Sequence, residues 1–162
     1  MKNEEFMKIA LEEAQKDISE GLFPVGAVIT LDGKIIAKSR KIGQGHLGHA
    51  EIVAMKEAFE GKEFTKDDDL VLYTTVEPCL MCFATIFHTQ IKRVVFAFED
   101  PWCGGTHVRS TALPLRYQIK TPEFFGGVLR EESRLLVKEY AQNSGIDFWK
   151  HNENPFVSSV MQ

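Results

Sequence analysis

Helix-like and strand-like stretches alternate along this chain, and that alternation limits its fold more than any other feature. Four stretches predict helices, from apolar residues at three- and four-residue steps or from a strongly apolar composition, at 3–20, 49–60, 79–89 and 128–142. Runs rich in apolar and β-branched residues predict five strands, the last one weaker, at 24–31, 34–39, 70–76, 93–98 and 116–120. A chain that alternates in this way is typical of α/β layering.

The connections between these segments predict how the strands pair. Asp32-Gly33 is a hairpin turn signal, since both positions tolerate positive φ, so the first two strands are expected to be antiparallel. A helix links the third and fourth strands, and such crossovers give parallel neighbours. We therefore predict a three-layer α/β/α sandwich with a central mixed five-stranded sheet, one edge antiparallel and the rest parallel. Loops are expected at 40–48 and 99–112, and an irregular tail from 144.

Length and composition fit one domain that spans 1–162. The chain has 162 residues, of which 44% are hydrophobic and 26% charged, which is enough for a real core. No apolar run approaches the roughly 20 residues needed to cross a bilayer, so no membrane segment is expected. The first residues, Met1 to Glu5, carry acid early and are typical of a helix start, not of a signal peptide. These features predict a cytoplasmic protein.

The charge of the chain argues against a large nucleic-acid surface. Its formal net charge is -4, whereas nucleic-acid-binding domains usually carry a basic face or stripe. Phosphate contacts dominate the affinity of such domains, and Lys38, Arg40 and Lys41 form only one small basic patch. A local patch can still sit on an acidic protein, so nucleic acid is disfavoured as a partner and not excluded.

The cysteines indicate a metal site. There are three, Cys79, Cys82 and Cys103, and an odd number without an export signal argues against a disulfide framework. Cys79 and Cys82 are three residues apart at a predicted helix start, so both can face the same side of its first turn. His49, at the start of another predicted helix, can supply a third ligand. Three protein ligands with one open position are typical of a catalytic zinc, expected here as one Zn²⁺ per chain.

Two other interpretations of these residues stay open at the level of sequence. The cysteines can be buried core residues, since free cysteine is often buried. Alternatively the zinc can be structural, which normally needs a fourth protein ligand. The candidates for that fourth ligand are Cys103, His46, His88 and His107.

Glu51 is the candidate acid and base. It follows His49 by two residues, and at a helix start its carboxylate can lie beside the open position of the metal. There it could take a proton from water and pass it to a leaving amine. The alternative is a first-turn glutamate that stabilises the helix dipole. The order and helix-start positions of His49, Glu51, Cys79 and Cys82 together favour the catalytic role.

This combination resembles the cytidine deaminase-like superfamily of zinc deaminases, whose pattern is H-x-E followed by P-C-x-x-C. Within it, the chain is similar to the branch of tRNA adenosine deaminases, guanine deaminases and fungal-type cytosine deaminases. The resemblance covers a core of about 4–142 and leaves a tail of 143–162. It rests on these segments: Pro24-Val25-Gly26-Ala27-Val28, His49-Ala50-Glu51-Ile52, Leu72-Tyr73-Thr74-Thr75, Glu77-Pro78-Cys79-Leu80-Met81-Cys82 and Arg93-Val94-Val95-Phe96.

The resemblance implies an α/β/α sandwich that removes ammonia from an amine-bearing ring carbon. It implies that His49, Cys79 and Cys82 bind zinc, that Glu51 shuttles protons, that the backbone near Ala50 contacts the substrate or water, and that the protein is a homodimer.

The chain also departs from the family. Relatives usually carry an asparagine about ten residues before the histidine, and Ser39 is the nearest small polar substitute here.

The substrate contacts predicted from sequence extend beyond Ser39 and Ala50. Trp102 lies in the loop after the fourth strand, near the carboxyl ends where open α/β sheets bind ligands, and could stack on a flat ring. Cys103, beside it, is more often a packing residue. The tail carries Phe148 and Trp149, which resemble the aromatic lids of free-base deaminases. A tail that only docks on the surface is the alternative.

Three functions follow from these observations. The first is hydrolytic deamination of a nucleobase, nucleoside or related small heterocycle, favoured by the aromatic tail and the acidic charge. The alternative is adenosine-to-inosine deamination in tRNA, favoured by the overall motif. A non-catalytic zinc-binding module is the third, and the presence of Glu51 argues against it.

Overall fold

A computed structural model describes residues 2–43 and 45–162, which form a mixed sheet covered on both faces by helices. The helices are α1 (Lys2–Ser19), α2 (Ala50–Phe59), α3 (Leu80–Ile86), α4 (Leu115–Ile119), α5 (Arg130–Asn143) and α6 (Pro155–Met161). The strands are β1 (Gly26–Leu31), β2 (Lys34–Arg40), β3 (Leu70–Val76), β4 (Arg93–Phe98) and β5 (Glu123–Phe125). Short 3₁₀ turns occupy Gly105–His107, Ser110–Ala112 and Asp147–Lys150. Within the described residues, no helix combines the length and the apolar character that a membrane span requires.

The five strands have the order β2-β1-β3-β4-β5. β1 is antiparallel to both of its neighbours, whereas β3, β4 and β5 are parallel to one another. The prediction that only an edge strand runs against the others is therefore wrong, although the sheet is mixed and five-stranded as expected. The reversed strand is β1, second from the edge, because the β2–α2–β3 connection crosses it and brings β3 to its other side. The predicted hairpin turn is confirmed, with φ of 49° at Asp32 and 73° at Gly33.

Alternate residues of the central strands face opposite helical layers. Ala27 and Ile29 of β1 pack with Ala54 and Met55 of α2 on one face. Val28, between them in sequence, packs with residues of α1 on the other face. The approach of α1 to β1 is so close that a Cβ on Gly26 would lie 1.8 Å from the carbonyl oxygen of Ala10, so this position accepts only glycine.

The fifth strand is not where the sequence predicted it. Residues 116–120 belong largely to α4, and the strand that pairs with Arg93–Val95 of β4 is Glu123–Phe125. Pro122 explains the shift, because the residue before a proline is pushed out of the helical region and into an extended conformation.

The tail is more regular than the sequence predicted. α6 begins after Asn154, whose side-chain oxygen accepts hydrogen bonds from the N–H groups of Phe156 at 2.9 Å and Val157 at 3.3 Å. Pro155 at the first helical position reinforces this start. The Asn-Pro pair was the sequence signal for this helix.

Candidate functional site

Two helix starts converge at one end of the sheet. His49 is the residue that precedes α2 and Cys79 is the residue that precedes α3, and both have extended backbone conformations. An N-cap residue ordinarily satisfies a free N–H of the first turn with its own side chain. Neither His49 nor Cys79 forms such a hydrogen bond, so both side chains are available to a shared ligand.

The side chains of His49, Cys79 and Cys82 meet with spacings that fit tetrahedral zinc. Nδ1 of His49 lies 3.6 Å from each sulfur, and the two sulfurs are 3.7 Å apart. A tetrahedral ion with bonds of about 2.3 Å to sulfur and about 2.0 Å to nitrogen places the sulfurs about 3.8 Å apart and each sulfur about 3.5 Å from the nitrogen. The donor set and its spacing therefore match a zinc-binding site.

The fourth ligand required by a structural zinc is not part of this cluster. Among residues 2–43 and 45–162, the potential ligand atoms that lie within 4.8 Å of one another belong to His49, Cys79 and Cys82. Two of the other candidates are engaged elsewhere: His88 contacts the hydroxyl of Tyr117, and His107 lies 3.5 Å from the carboxylate of Glu77. Three ligands leave one tetrahedral position open for water or substrate.

Glu51 lies against this cluster and is almost fully buried, with 3% of its surface exposed. Its Oε1 lies 3.1 Å from the hydroxyl of Thr74, which donates to it, and its Oε2 lies 3.7 Å from the sulfur of Cys82. A glutamate that served only the helix dipole would have no need of this position. The first turn of α2 thus presents a carboxyl group to the open side of the cluster.

The local environment shifts the pKa values of these groups. Burial raises the pKa of the Glu51 carboxyl, so that a protonated form is accessible. A hydrogen bond with Cys82, followed by one with His49, lowers the pKa of the Cys79 thiol to about 4. The hydrogen bond with Cys79, followed by burial, raises the pKa of the Cys82 thiol. The hydrogen bond with Cys79 also raises the pKa of His49. The environment therefore favours a thiolate at Cys79, which is the form of cysteine that binds metal.

The cluster opens into a cavity that both apolar and polar residues line. Its apolar lining comes from Phe23, Val25, Ala50 and Val76. Its polar lining comprises His49, Glu51, Cys79, Cys103, Lys41, Glu77 and Asp100. A flat ring with polar edges suits such a cavity, because apolar walls hold its faces and a few polar groups fix its orientation.

The structure brings some of the predicted contact residues to this cavity and not others. Ala50, a predicted contact residue, lines it, and so does Cys103, which was expected to be a packing residue. The described cavity lining does not include Ser39, Trp102, Phe148 or Trp149. The hydroxyl of Ser39 is turned instead to the carbonyl oxygen of Ala50, to which it donates at 2.6 Å. Trp102 is 59% exposed, and Trp149 is buried in an aromatic cluster behind Phe23. Substrate contact by these four side chains stays a prediction.

Besides two valines, four cavity residues that carry a ring or an ionisable group were not predicted as site residues. Phe23 precedes β1, and Lys41 follows β2. Asp100 follows β4, and Glu77 lies between β3 and the Pro-Cys pair. The available signal was their position, since Glu77 and Asp100 follow the carboxyl ends of parallel strands, where α/β proteins bind ligands. For Phe23 and Lys41 the sequence offers no comparable signal.

The fold and this site together define a class of enzyme, the zinc-dependent hydrolytic deaminases. The sequence model of the cytidine and deoxycytidylate deaminase zinc-binding region matches residues 1–98. The chain belongs to this family and is a zinc-dependent deaminase.

Curated relatives and solved structures add detail. The chain is 35% identical over 139 residues to the tRNA-specific adenosine deaminase of Rickettsia felis, an alignment that covers 83% of this chain and 96% of the relative. It resembles a solved structure from studies of A-to-I editing by tRNA:A34 deaminases, with a TM-score of 0.67 and 34% identity over 76% of this chain and 97% of the other. A guanine deaminase from Nitrosomonas europaea shares the fold, with a TM-score of 0.64 and 21% identity over 85% of this chain and 83% of the other.

Proposed function

We propose that this enzyme deaminates adenosine in a tRNA anticodon to inosine and releases ammonia. The observation that carries this proposal is the similarity to tRNA-specific adenosine deaminases, which extends over most of both chains and not only over the zinc motif. This favours the alternative named in the sequence analysis over the small heterocycle placed first there. The acidic net charge had favoured the small heterocycle. Net charge summed over a whole chain, however, says little about the charge around one cavity.

The residues of the site suit the chemistry of this reaction. Zinc held by His49, Cys79 and Cys82 supplies Lewis acidity for hydrolysis at the amine-bearing carbon. Glu51 accepts a proton from the attacking water and delivers it to the departing nitrogen. Its burial favours the protonated form, which is the form that donates. The hydroxyl of Thr74 fixes one carboxyl oxygen, so the other remains directed toward the cluster.

Lys41 adds support for a substrate that carries phosphate. It lines the cavity, and within the described parts of the chain it takes part in no ion pair. Its backbone N–H donates to the buried carboxylate of Asp17 at 3.3 Å, which fixes the chain at this point. A lysine in the lining of this cavity can contact the phosphate next to a base that enters the cavity.

A free heterocycle is the second candidate substrate. The observation that favours it is the pair of carboxyl groups, Glu77 and Asp100, in the cavity lining, since acidic groups repel the phosphodiester backbone of RNA. Under this candidate the tail closes the site, as the sequence predicted, through the more exposed Phe148, since Trp149 packs behind Phe23. The homodimer implied by the family resemblance is part of both proposals and is testable by sedimentation.

Turnover of defined substrates tests the choice. Zinc-loaded protein is incubated with an anticodon stem-loop that carries adenosine at the wobble position, and with free adenine, guanine, cytosine and their nucleosides. We expect ammonia and inosine from the stem-loop, and no product from the same stem-loop with guanosine at that position. Turnover of a free base or nucleoside without turnover of the stem-loop would contradict the tRNA proposal and support the free heterocycle as the substrate. The Glu51→Gln variant is the control for contaminating deaminases.

A further inference from the structure

A second buried glutamate lies beside the zinc-binding site. The side chain of Glu77 is fully buried, and the residue stands between the last residue of β3 and the Pro78-Cys79 pair that begins the metal-binding segment. A buried carboxylate is costly unless hydrogen-bond donors surround it. The donors around Glu77 come from one segment, residues 100–107, which we call the wall loop.

The wall loop supplies donors to both carboxylate oxygens. Oε1 accepts hydrogen bonds from the backbone N–H of Thr106 at 3.1 Å and from the hydroxyl of the same residue. Oε2 accepts from the backbone N–H of Asp100 at 3.0 Å, and Nε2 of His107 lies 3.5 Å from it. Glu77 therefore holds both ends of the wall loop at once, and little of its accepting capacity remains for a substrate.

The wall loop in turn is attached to the metal-binding segment. The backbone N–H of Gly105 donates to the carbonyl oxygen of Pro78 at 2.8 Å, and the N–H of Leu80 donates to the carbonyl oxygen of Cys103 at 3.2 Å. Asp100 organises the interior of the loop, because its Oδ1 accepts from the N–H groups of Trp102 and Cys103, each at 2.9 Å.

Gly104 makes this close packing possible. A Cβ at this position would lie 2.4 Å from Cδ and Oε1 of Glu77 and 2.4 Å from the carbonyl oxygen of Asp100. Two of these three atoms belong to the Glu77 carboxylate, and the third is backbone. Any larger residue at position 104 would therefore push the wall loop away from Glu77.

The consequence reaches the cavity, because Asp100 and Cys103 of the wall loop line it together with Cys79. We propose that Glu77 is a positioning residue of the deamination reaction. It sets the distance between the wall loop and the metal-binding segment and thereby the shape of the substrate cavity. This inference rests on the zinc deaminase reaction and not on which of the two proposed substrates is the true one.

The Glu77→Gln variant tests the proposal. An amide keeps the size of the side chain, but its NH₂ group would face the N–H of either Asp100 or Thr106, so one attraction becomes a repulsion. We expect KM to rise by about tenfold, since hydrogen bonds to charged groups are among the stronger ones, while kcat changes by less than about threefold and one zinc per chain is retained. KM is measured on the stem-loop or the free base, whichever the wild type converts. The exposed Glu57→Gln substitution is the matched control and should leave all three quantities unchanged.

A second variant separates positioning from general damage. Gly104→Ala displaces the wall loop while Glu77 stays intact, so it should raise KM in the same way, and the double variant should do little more than either change alone. Fully multiplicative effects on KM would overturn the proposal. So would a fall in kcat at unchanged KM, or loss of zinc from Glu77→Gln, because Glu77 would then act through Cys79.

Hydrogen exchange supplies a readout that needs no substrate. In the zinc-loaded wild type the amide protons of Asp100 and Thr106 should exchange slowly, and Glu77→Gln should accelerate both. Rapid exchange of these amides in the wild type would refute the positioning role whatever the substrate. If neither probe is converted but both amides are protected as expected, the proposed function fails and the role of Glu77 in holding the wall loop stands.

Discussion

Trp149 lies nearly parallel to Phe23, with ring centroids 6.0 Å apart and ring planes 11° from each other. Phe23 lines the cavity, whereas Trp149 lies behind it, in edge contact with Tyr140 and tilted against Phe156. The C-terminal tail therefore supports the apolar wall of the cavity from the protein side. Aromatic residues in the tail were predicted to close the site, and the structure offers this second route by which they can influence substrate binding.

Replacement of Trp149 should disturb both stability and substrate binding. Trp149→Ala removes a ring that is 8% exposed, so we expect a loss of about 3–5 kcal/mol in the free energy of unfolding and a higher KM, because Phe23 loses its support. Urea unfolding and steady-state kinetics measure the two effects. The neighbouring Phe148 is 36% exposed, and Phe148→Ala should have a much smaller effect on both. An equal rise in KM for Phe148→Ala, at unchanged stability, would favour direct contact of the tail with the substrate.

Glu51→Gln should abolish turnover and leave the metal in place. The amide keeps the shape of the side chain but cannot transfer protons, so kcat should fall by about 10²- to 10⁴-fold or more. Metal content by mass spectrometry should remain one zinc per chain. Thr74→Val is the milder companion, because it removes only the hydroxyl that orients Oε1. If Glu51→Gln lost zinc, its carboxylate would be a ligand and not a proton carrier.

Removal of zinc should destabilise the folded protein as well as inactivate it. Free zinc at 100 times its dissociation constant stabilises a protein that binds it only when folded by about 2.7 kcal/mol. A chelator should therefore lower Tm, and zinc should restore it. Cys82→Ser should abolish this response, whereas Cys103→Ser should retain it, because Cys103 lies outside the ligand cluster. A matching loss in both variants would point to a fourth protein ligand.

Asp17 is expected to hold the rim of the cavity together. This fully buried carboxylate accepts hydrogen bonds from the N–H groups of Val25 and Lys41, and Arg40 lies 3.0 Å from it. Asp17→Asn should cost about 1–3 kcal/mol of folding free energy, since it removes the charge that faces Arg40. Glu20→Gln, at the exposed partner of the same arginine, should cost much less, because solvent screens an exposed ion pair. Equal losses in denaturant titrations of the two variants would contradict this assignment.

The ionisation of His151 should depend on its two acidic neighbours. The hydrogen bond with Asp147, followed by that with Glu153, raises the pKa of the imidazole above its usual 6.5. The charged form is therefore favoured in the folded protein, so its small stabilisation is complete below about pH 6.5 and is lost as the pH rises through the raised pKa. NMR titration should show a lower pKa in Asp147→Asn, and a smaller difference in high salt. An unchanged pKa in that variant would show that the pair does not form in solution.

The zinc site was predictable because its determinants are local. Cys79 and Cys82 lie within one helical turn, and His49 and Glu51 share the start of another, so local structure holds each pair together. That the two helix starts meet was implied by the family resemblance and not by spacing. The layers of the fold followed from periodicity. The position of β5 did not, because its three residues Glu123–Phe125 are too few for a periodic pattern and only pairing with β4 defines them.

The remaining features of the site depend on contacts between distant parts of the sequence. Phe23 reaches the cavity because Trp149, far along the chain, packs behind it. Ser39 was predicted to contact the substrate from its position before His49, but its hydroxyl is bonded to Ala50. Phe23 and Trp149 are far apart in sequence, and Ser39 and Ala50 belong to different elements, β2 and α2, so neither contact could be derived from the pattern of a single element.

The uncapped starts of α2 and α3 have a consequence for the life of this protein in a cell. A serine or aspartate would cap these helix starts at all times, whereas at His49 and Cys79 a bound ion would instead tie the two starts to each other. The amount of intact enzyme should then follow the supply of zinc. Chains without metal would unfold locally at these two helix starts and be degraded by proteases sooner than zinc-bound chains. A shortage of zinc would then lower the number of folded enzyme molecules and would not leave inactive ones to accumulate.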